Sequence, residues 1–293
     1  MHSFLRSIGF GKLKKKKQID ALIQDVIDHP DRKVISEDED GNVYAELSKD
    51  YGELIGIAVR GEYSEDDTFE ADYYYPYFLG TGISTMESVE VEKHAEKESY
   101  AGICDDMKIG VTLIFYLQNV MEYLNIGKKR DLDEVTIATT LSGLCVSGKI
   151  LLPIEKGRVR TKTDDNMTRE RNHLIAAARE GDEEAMESLT LEDIDTYSEI
   201  SRRIMYEDVL TIVNSYFMPY GIESDQYSIL GEIMEMHSVE NSMTREKIYL
   251  LSLKCNDLMF DVCINSADLM GEPAVGRRFK GVVWLQGYIH FSE

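Results

Sequence analysis

The sequence is short of the features that most often announce a function. Its four cysteines, Cys104, Cys145, Cys255 and Cys263, include no CxxC pair and all lie in apolar, strand-like sequence. Buried free thiols are the simplest reading. No run approaches the roughly 20 apolar residues of a membrane-spanning helix, so no membrane partner is expected. The opening MHSFLRSIGFGKLKKKK contains no continuous apolar core of the kind a secretory signal needs, and a cytoplasmic location is expected. Basic residues are outnumbered, with 32 Lys and Arg against 54 Asp and Glu and a net charge of −22. Charge-driven nucleic-acid binding needs cations to neutralise phosphates, so that partner is not expected either. There is no GxGxxG opening a helix after a strand, no Walker loop, no GxSxG, no HExxH and no EF-hand loop.

What is present begins with the tail, GEPAVGRRFKGVVWLQGYIHF at 271–291, which holds the only Trp. Gly271, Pro273 and Gly276 supply turn chemistry. From Phe279 alternate residues face opposite sides of a strand. Phe279, Val283, Leu285, Ile289 and Phe291 make a core face with two glycines. Lys280, Val282, Trp284, Gln286, Tyr288 and His290 make an amphipathic one. Gly281 and Gly287 are where so long a strand can bend or bulge.

Residues 12–29 carry apolar positions at helical spacing and stop at Pro30, which predicts an N-terminal helix. The run Lys14–Lys17 reads as its solvated start. Strands are expected over 53–63, 69–78, 88–94, 99–106, 108–119 and 141–154. The Tyr-rich stretch FEADYYYPYF at 69–78 reads as a half-buried sheet face, with stacking on bases or sugars as the functional alternative. Residues 155–168 are polar and mark a boundary. Residues 169–214 read as helical, with Asp182 as an N-cap and Ile194, Tyr197, Ile200 and Ile204 on a buried face. Trp284 is expected to lie between the C-terminal sheet and those helices. Residues 215–291 return to strands.

Two parts of the chain echo one another. Tyr73–Tyr77 resembles Tyr216–Tyr220, each with a Pro, and His94 and His237 both follow 18 positions later. Cys104-Asp105-Asp106 resembles Cys255-Asn256-Asp257, and GLCVSGKI (143–150) resembles GVVWLQGYI (281–289). The expectation is an α+β protein of two related, mostly antiparallel β lobes of small barrel or sandwich type, joined by a helical segment. In domain terms this means 1–155, a connector at 156–214, and 215–293.

Candidate site residues follow from this pattern. Glu92/His94 and Glu235/His237 place a carboxylate beside an imidazole on one strand face, a set that can hold a metal or move protons. Asp106 and Asp257 are candidate third ligands, and a solvated strand face is the simpler alternative. Arg277 and Arg278, near Trp284, could grip an anionic ligand or bridge to the chain's own carboxylates.

The stretches YFMPYGIESDQYSILGEI (216–233), CNDLMFDVCIN (255–265), GEPAVGRRFKGVVWLQG (271–287) and GDEEAMESLTLEDIDTYSEI (181–200) resemble an uncharacterised bacterial protein family of about this length. The resemblance spans nearly the whole chain. It implies a bacterial cytosolic protein and assigns no activity, ligand or catalytic residue. The function expected is therefore non-enzymatic binding or regulation. The alternatives are a metal-dependent or acid–base enzyme using the Glu-x-His pairs, and a subunit whose protein partner covers the Trp284 face. No cofactor is implied.

Overall fold

The computed structural model describes residues 2–291 except 38–41, 65, 94–98, 107–110, 128–136 and 222–224, and within 155–207 describes only 174, 177, 182, 184–186 and 188. The chain divides into two units, one of Met1–Leu151 with Phe217–Glu293, the other Leu152–Tyr216.

The first unit is mostly β. A short 3-10 helix, Ser3–Ile8, is followed by helix α1, Lys16–Asp28, within the segment whose periodicity predicts it. Leu22 and Val26 are buried on the inner stripe of α1, which packs on the strands that follow. Those strands, β1 (Arg32–Glu37), β2 (Val43–Gly52), β3 (Ile55–Tyr63) and β4 (Phe69–Phe78), form an antiparallel four-stranded sheet in chain order. β3 is buried from Ile55 through Gly61, as a strand covered on both faces should be.

A second sheet takes most of the remaining chain. Its strands are β5 (Glu90–Lys93), β6 (Tyr100–Asp106), β7 (Val111–Leu117), β8 (Ile137–Leu151), β9 (Tyr216–Pro219), β10 (Gln226–Glu240), β11 (Lys247–Cys255), β12 (Leu258–Asn265), β13 (Leu269–Met270) and β14 (Arg278–Phe291). Helix α2, Val120–Gly127, lies between β7 and β8. The order is β13-β8-β12-β11-β10-β14-β7-β6-β5, with β9 on β10. β14 also pairs with β8. The β12–β8, β13–β8 and β14–β7 pairs are parallel, and the other ladders of described register are antiparallel.

This sheet is not a closed barrel. Strands β8, β12, β11, β10 and β14 do return on themselves through the β8–β14 ladder. But β14 pairs with β10 only from Arg278 to Trp284, then turns to β7 at Gln286–Gly287, and the sheet runs on to an edge at β5. The ladder between β14 and β8 has a register shift between Gly281 and Val283. Gly287 serves another purpose, because a Cβ there would sit 2.3 Å from the Phe115 ring. Strands from 50–155 and from 215–293 thus share one sheet. Pro76 lies on β4 in the four-stranded sheet and Pro219 on β9 in the other, so that pair of echoes does not fall on equivalent strands.

The alternation of β14 is as its sequence requires. Phe279, Val283, Leu285 and Ile289 enter one core with Phe115, Leu253 and Val262, while Trp284 enters another with Phe4, Leu144, Ile248 and Tyr77. The sheets are tied by a polar seam. Asp261, Ser142 and Gln286 stand in register across β12, β8 and β14. Asp261 Oδ2 accepts from the Thr81 N–H at 2.6 Å and from its hydroxyl at 2.8 Å. Ser142 Oγ donates to the Phe78 carbonyl at 2.6 Å, and Gln286 Nε2 to the Pro76 carbonyl at 2.9 Å. The end of β4 thereby meets backbone needs that no ladder on this side supplies.

In the second unit, Asp182 Oδ1 accepts from the Ala185 N–H at 3.1 Å, an N-cap bond at the residue where the sequence places one. A last helical turn, α3, covers Val209–Ile212. Ile194, Tyr197, Ile200 and Ile204 lie outside the described residues.

Candidate functional site

Between the four-stranded sheet and the β8–β14 region lies a cavity of about 450 Å3. That is within the range of small-molecule sites. Its walls come from β1, β2, the end of β4, the turn before α2, β8 and β14. Val34, Leu54, Leu79 and Met121 are apolar members of the lining, and Tyr75, Tyr77 and Tyr288 are the aromatic ones. Leu54 holds a positive φ of 63° at the β2–β3 turn, and its carbonyl accepts from the Leu79 N–H at 2.8 Å. A bulky residue in that conformation is strained, and such strain gathers where a wall must be held in place.

The polar lining is organised around two ion pairs. Arg32 donates from Nη2 to Asp50 Oδ1 at 3.0 Å and to the Tyr77 hydroxyl at 2.7 Å, and from Nε to Ser48 Oγ at 3.3 Å. The Tyr77 hydroxyl donates to Asp50. Behind the wall, Arg60 is 2% exposed and its Nε donates to Glu46, which lines the cavity. A guanidinium keeps its charge, so burial demands that its donors be met. Nη1 donates to the Tyr73 hydroxyl at 2.7 Å. Nη2 reaches the Tyr75 hydroxyl at 3.2 Å and the carbonyls of Leu117 and Gln118 at 3.3 and 2.9 Å. Its carbon lies 5.0 Å over the Tyr75 ring and 5.5 Å over that of Tyr116. Burial alone would lower the Arg60 pKa, but Glu46 and the tyrosines outweigh it and raise it well above the ordinary value. The Tyr-rich stretch is thus a cage for an internal cation.

The remaining groups cluster at the start of α2. Tyr288 donates to Glu122 Oε2 at 2.7 Å, and Asn119 Nδ2 donates to the same oxygen at 3.0 Å. Asn119 also brackets Ile289, donating to its carbonyl at 2.8 Å and accepting from its N–H at 3.0 Å. Burial, then the bond to Glu122, pushes the Tyr288 phenol up, so it stays protonated at neutral pH. Thr140 Oγ1 donates to the Gly82 carbonyl at 2.6 Å and lies 2.8 Å from His290 Nε2. Its one proton is committed to Gly82, so His290 is the donor in that contact and Thr140 is not an activated nucleophile. Gln118 Nε2 donates to the Phe78 carbonyl at 2.9 Å and to Gln286 Oε1 at 2.8 Å. Gln118 is 4% exposed, yet its Oε1 accepts nothing from the described residues. Turning the amide over would set oxygen against two acceptors, so this orientation is forced.

The residues singled out in the sequence lie elsewhere. Glu92 is exposed on β5, opposite Ala101, and His94 is outside the described residues. Glu235 and His237 border a recess of about 30 Å3 that also includes Asp261, room for about one water. Asp257 lies 3.5 Å from Lys254, and the Asp106 side chain is outside what is described. Among the described residues, no group of three or more His, Cys, Asp or Glu is placed to hold a metal ion. Arg277 Nη1 donates to the Glu272 carbonyl at 2.6 Å, while Arg278 is buried opposite Glu232, and desolvation lowers its pKa. Trp284 is 5% exposed, and its Nε1 donates to Asp225 Oδ2 at 2.6 Å. Among the described residues, His2 and Phe4 of the N-terminal segment pack on it, with ring centroids at 4.8 and 5.4 Å. Neither arginine nor the indole lines the large cavity.

A family model described as a domain of unknown function, E. rectale gene description (DUF3881), matches residues 5–287. The chain belongs to the DUF3881 family. No activity is assigned to that family, so its match fixes kinship without chemistry. No curated protein and no solved structure matches the chain. Among the described residues of this DUF3881 chain, no helix is long and apolar enough to cross a membrane.

Proposed function

We propose that this protein is a non-enzymatic, cytoplasmic binding protein whose small-molecule ligand occupies the cavity of about 450 Å3 between the sheets. The observation that carries this reading is the lining itself, in which apolar and aromatic side chains surround Glu122, whose Oε1 accepts no hydrogen bond from the described residues. Binding is favoured over catalysis because the groups that resemble acid–base machinery are already committed. Tyr288 holds its proton towards Glu122, and Thr140 holds its own on Gly82. None of the four buried cysteines is in a disulfide, which fits a reducing compartment.

The test is a ligand-observed NMR fragment screen of the protein beside Val34→Trp, which puts an indole into the cavity from edge strand β1. The reading expects hits that lose binding in Val34→Trp. Hits indifferent to the substitution, or no hits, would contradict it.

We also infer that the large sheet is built from two related halves. β5-β6-β7-α2-β8 and β10-β11-β12-(3-10 helix)-β14 have the same order of elements apart from the two-residue strand β13, which the second half adds before β14. Each half sends its last strand to lie parallel to the third strand of the other, β8 on β12 and β14 on β7, and the two last strands pair antiparallel. Cys104 and Cys255 fall on the middle strand of their respective meanders. A superposition of the halves that fails to bring β8 onto β14 would sink the idea.

A further inference from the structure

We propose that the cavity's ligand is an organic cation, a primary amine whose ammonium is held by Glu122, an inference that rests on reading the cavity as a binding site. Arg32 is paired with Asp50 and Arg60 with Glu46. Glu122, the remaining carboxylate of the lining, has only neutral donors: the Tyr288 hydroxyl and the Asn119 amide, both on Oε2. Its Oε1 accepts no hydrogen bond among the described residues. The N-terminus of α2, where Glu122 stands in the first turn, offers about half a positive charge. The rest is unmatched, and a half-buried carboxylate left in that condition favours a cation beside it.

The hydrogen-bond inventory points the same way. An ammonium brings three donors and no acceptor. Two carboxylate oxygens of the lining, Glu122 Oε1 and Glu46 Oε1, accept no hydrogen bond from the described residues, while Glu46 Oε2 takes both Arg60 and Tyr75. Tyr75, Tyr77 and Tyr288 add aromatic surface, which attracts a desolvated cation. Val34, Leu54, Leu79 and Met121 leave room for an apolar body behind the charge. The competing chemistry is a carboxylate at Arg32. There, Nε and Nη2 are already engaged by Ser48, Asp50 and Tyr77, which spends the two-pronged Nε/Nη2 edge and leaves Nη1 alone without a described partner.

Isothermal titration calorimetry with phenethylamine, 2-phenylethanol and phenylacetate separates the cases, because the three share one body and differ in charge. On the wild-type protein the amine should bind about tenfold or more tightly than the alcohol, with the acid weakest. In Glu122→Gln the amine should fall to the level of the alcohol, and the alcohol should be unchanged. The wild-type comparison needs no variant, so a poorly folded Glu122→Gln would not rescue the proposal. Equal binding of amine and alcohol, preference for the acid, an amine affinity unchanged in Glu122→Gln, or binding of none of the three would overturn it. Failure of the underlying reading is distinct. It would show as amine binding that survives Val34→Trp, whereas an alcohol or acid that binds best and is lost in Val34→Trp leaves the cavity reading standing and removes the cation.

Discussion

Replacing Arg60 by Met tests whether the caged guanidinium holds the two sheets in place. Met is similar in length, but provides none of the donors that reach Glu46, Tyr73, Tyr75 and the carbonyls of Leu117 and Gln118. The loss leaves Glu46, 15% exposed, without its cation. Breaking a buried pair from one side costs about 3–5 kcal/mol, because the surviving charge is still desolvated. Glu46→Gln alone should be costly for the mirror reason, since Arg60 cannot give up its charge. The double variant removes both charges and should cost less than the sum, with a coupling of about 2–3 kcal/mol. Urea unfolding followed by Trp284 fluorescence gives the three values, with stability taken from the midpoint at constant slope. A loss below about 1 kcal/mol in Arg60→Met, or additive single effects, would refute the reasoning.

Trp284→Ala should cost about 3–5 kcal/mol, since it empties the stack with His2, Phe4 and Tyr116 and removes the bond to Asp225, and thermal unfolding by circular dichroism reads the loss. Gly287→Ala should cost about 1–3 kcal/mol because its methyl meets the Phe115 ring at 2.3 Å, and adding Phe115→Leu should return part of that stability; no recovery in chemical denaturation would count against the packing argument. Burial raises the phenols of Tyr51, Tyr73, Tyr75, Tyr77, Tyr116 and Tyr288, and pushes Tyr227 up to about 12. The unfolded chain releases these protons from about pH 10 while the folded one keeps them, so stability is full below about pH 10 and falls as pH rises beyond it. Phenolate absorbance should therefore lag for these residues until the protein unfolds, and a single smooth titration of all 17 tyrosines near 10 would contradict this.

The parts of this fold that follow local rules are legible in the sequence. The two-residue period of β14 places Val283, Leu285 and Ile289 in one core and Trp284 in the other. The spacing in 12–29 gives α1. The contact of Trp284 with His2 and Phe4 is not legible, because SFLRSI is too short for any periodicity to identify it. Nor does alternation tell which strands meet: β8 and β14 are far apart in sequence, and nothing in either marks the other as its neighbour. The cavity was hidden for the same reason. Arg32, Glu46, Tyr77, Thr140 and Tyr288 sit on five different strands and form no motif. The available signal was Gln118-Asn119, a polar pair between the apolar runs of β7 and α2, where two amides must be buried together. The Glu-x-His spacing drew attention because it is local, although a strand puts any i, i+2 pair on one face.

The central claim is that the space between the two sheets is a ligand site. Amide hydrogen exchange with and without a saturating fragment hit or phenethylamine tests it most directly, because bound ligand slows exchange where it closes local opening. The account predicts added protection concentrated at 76–81, 117–123, 139–141 and 286–290, the segments that carry Tyr77, Gln118, Glu122, Thr140 and Tyr288 around the cavity. Protection centred instead on 235–252, or at Arg277 and Arg278, with those four segments unchanged, would contradict it.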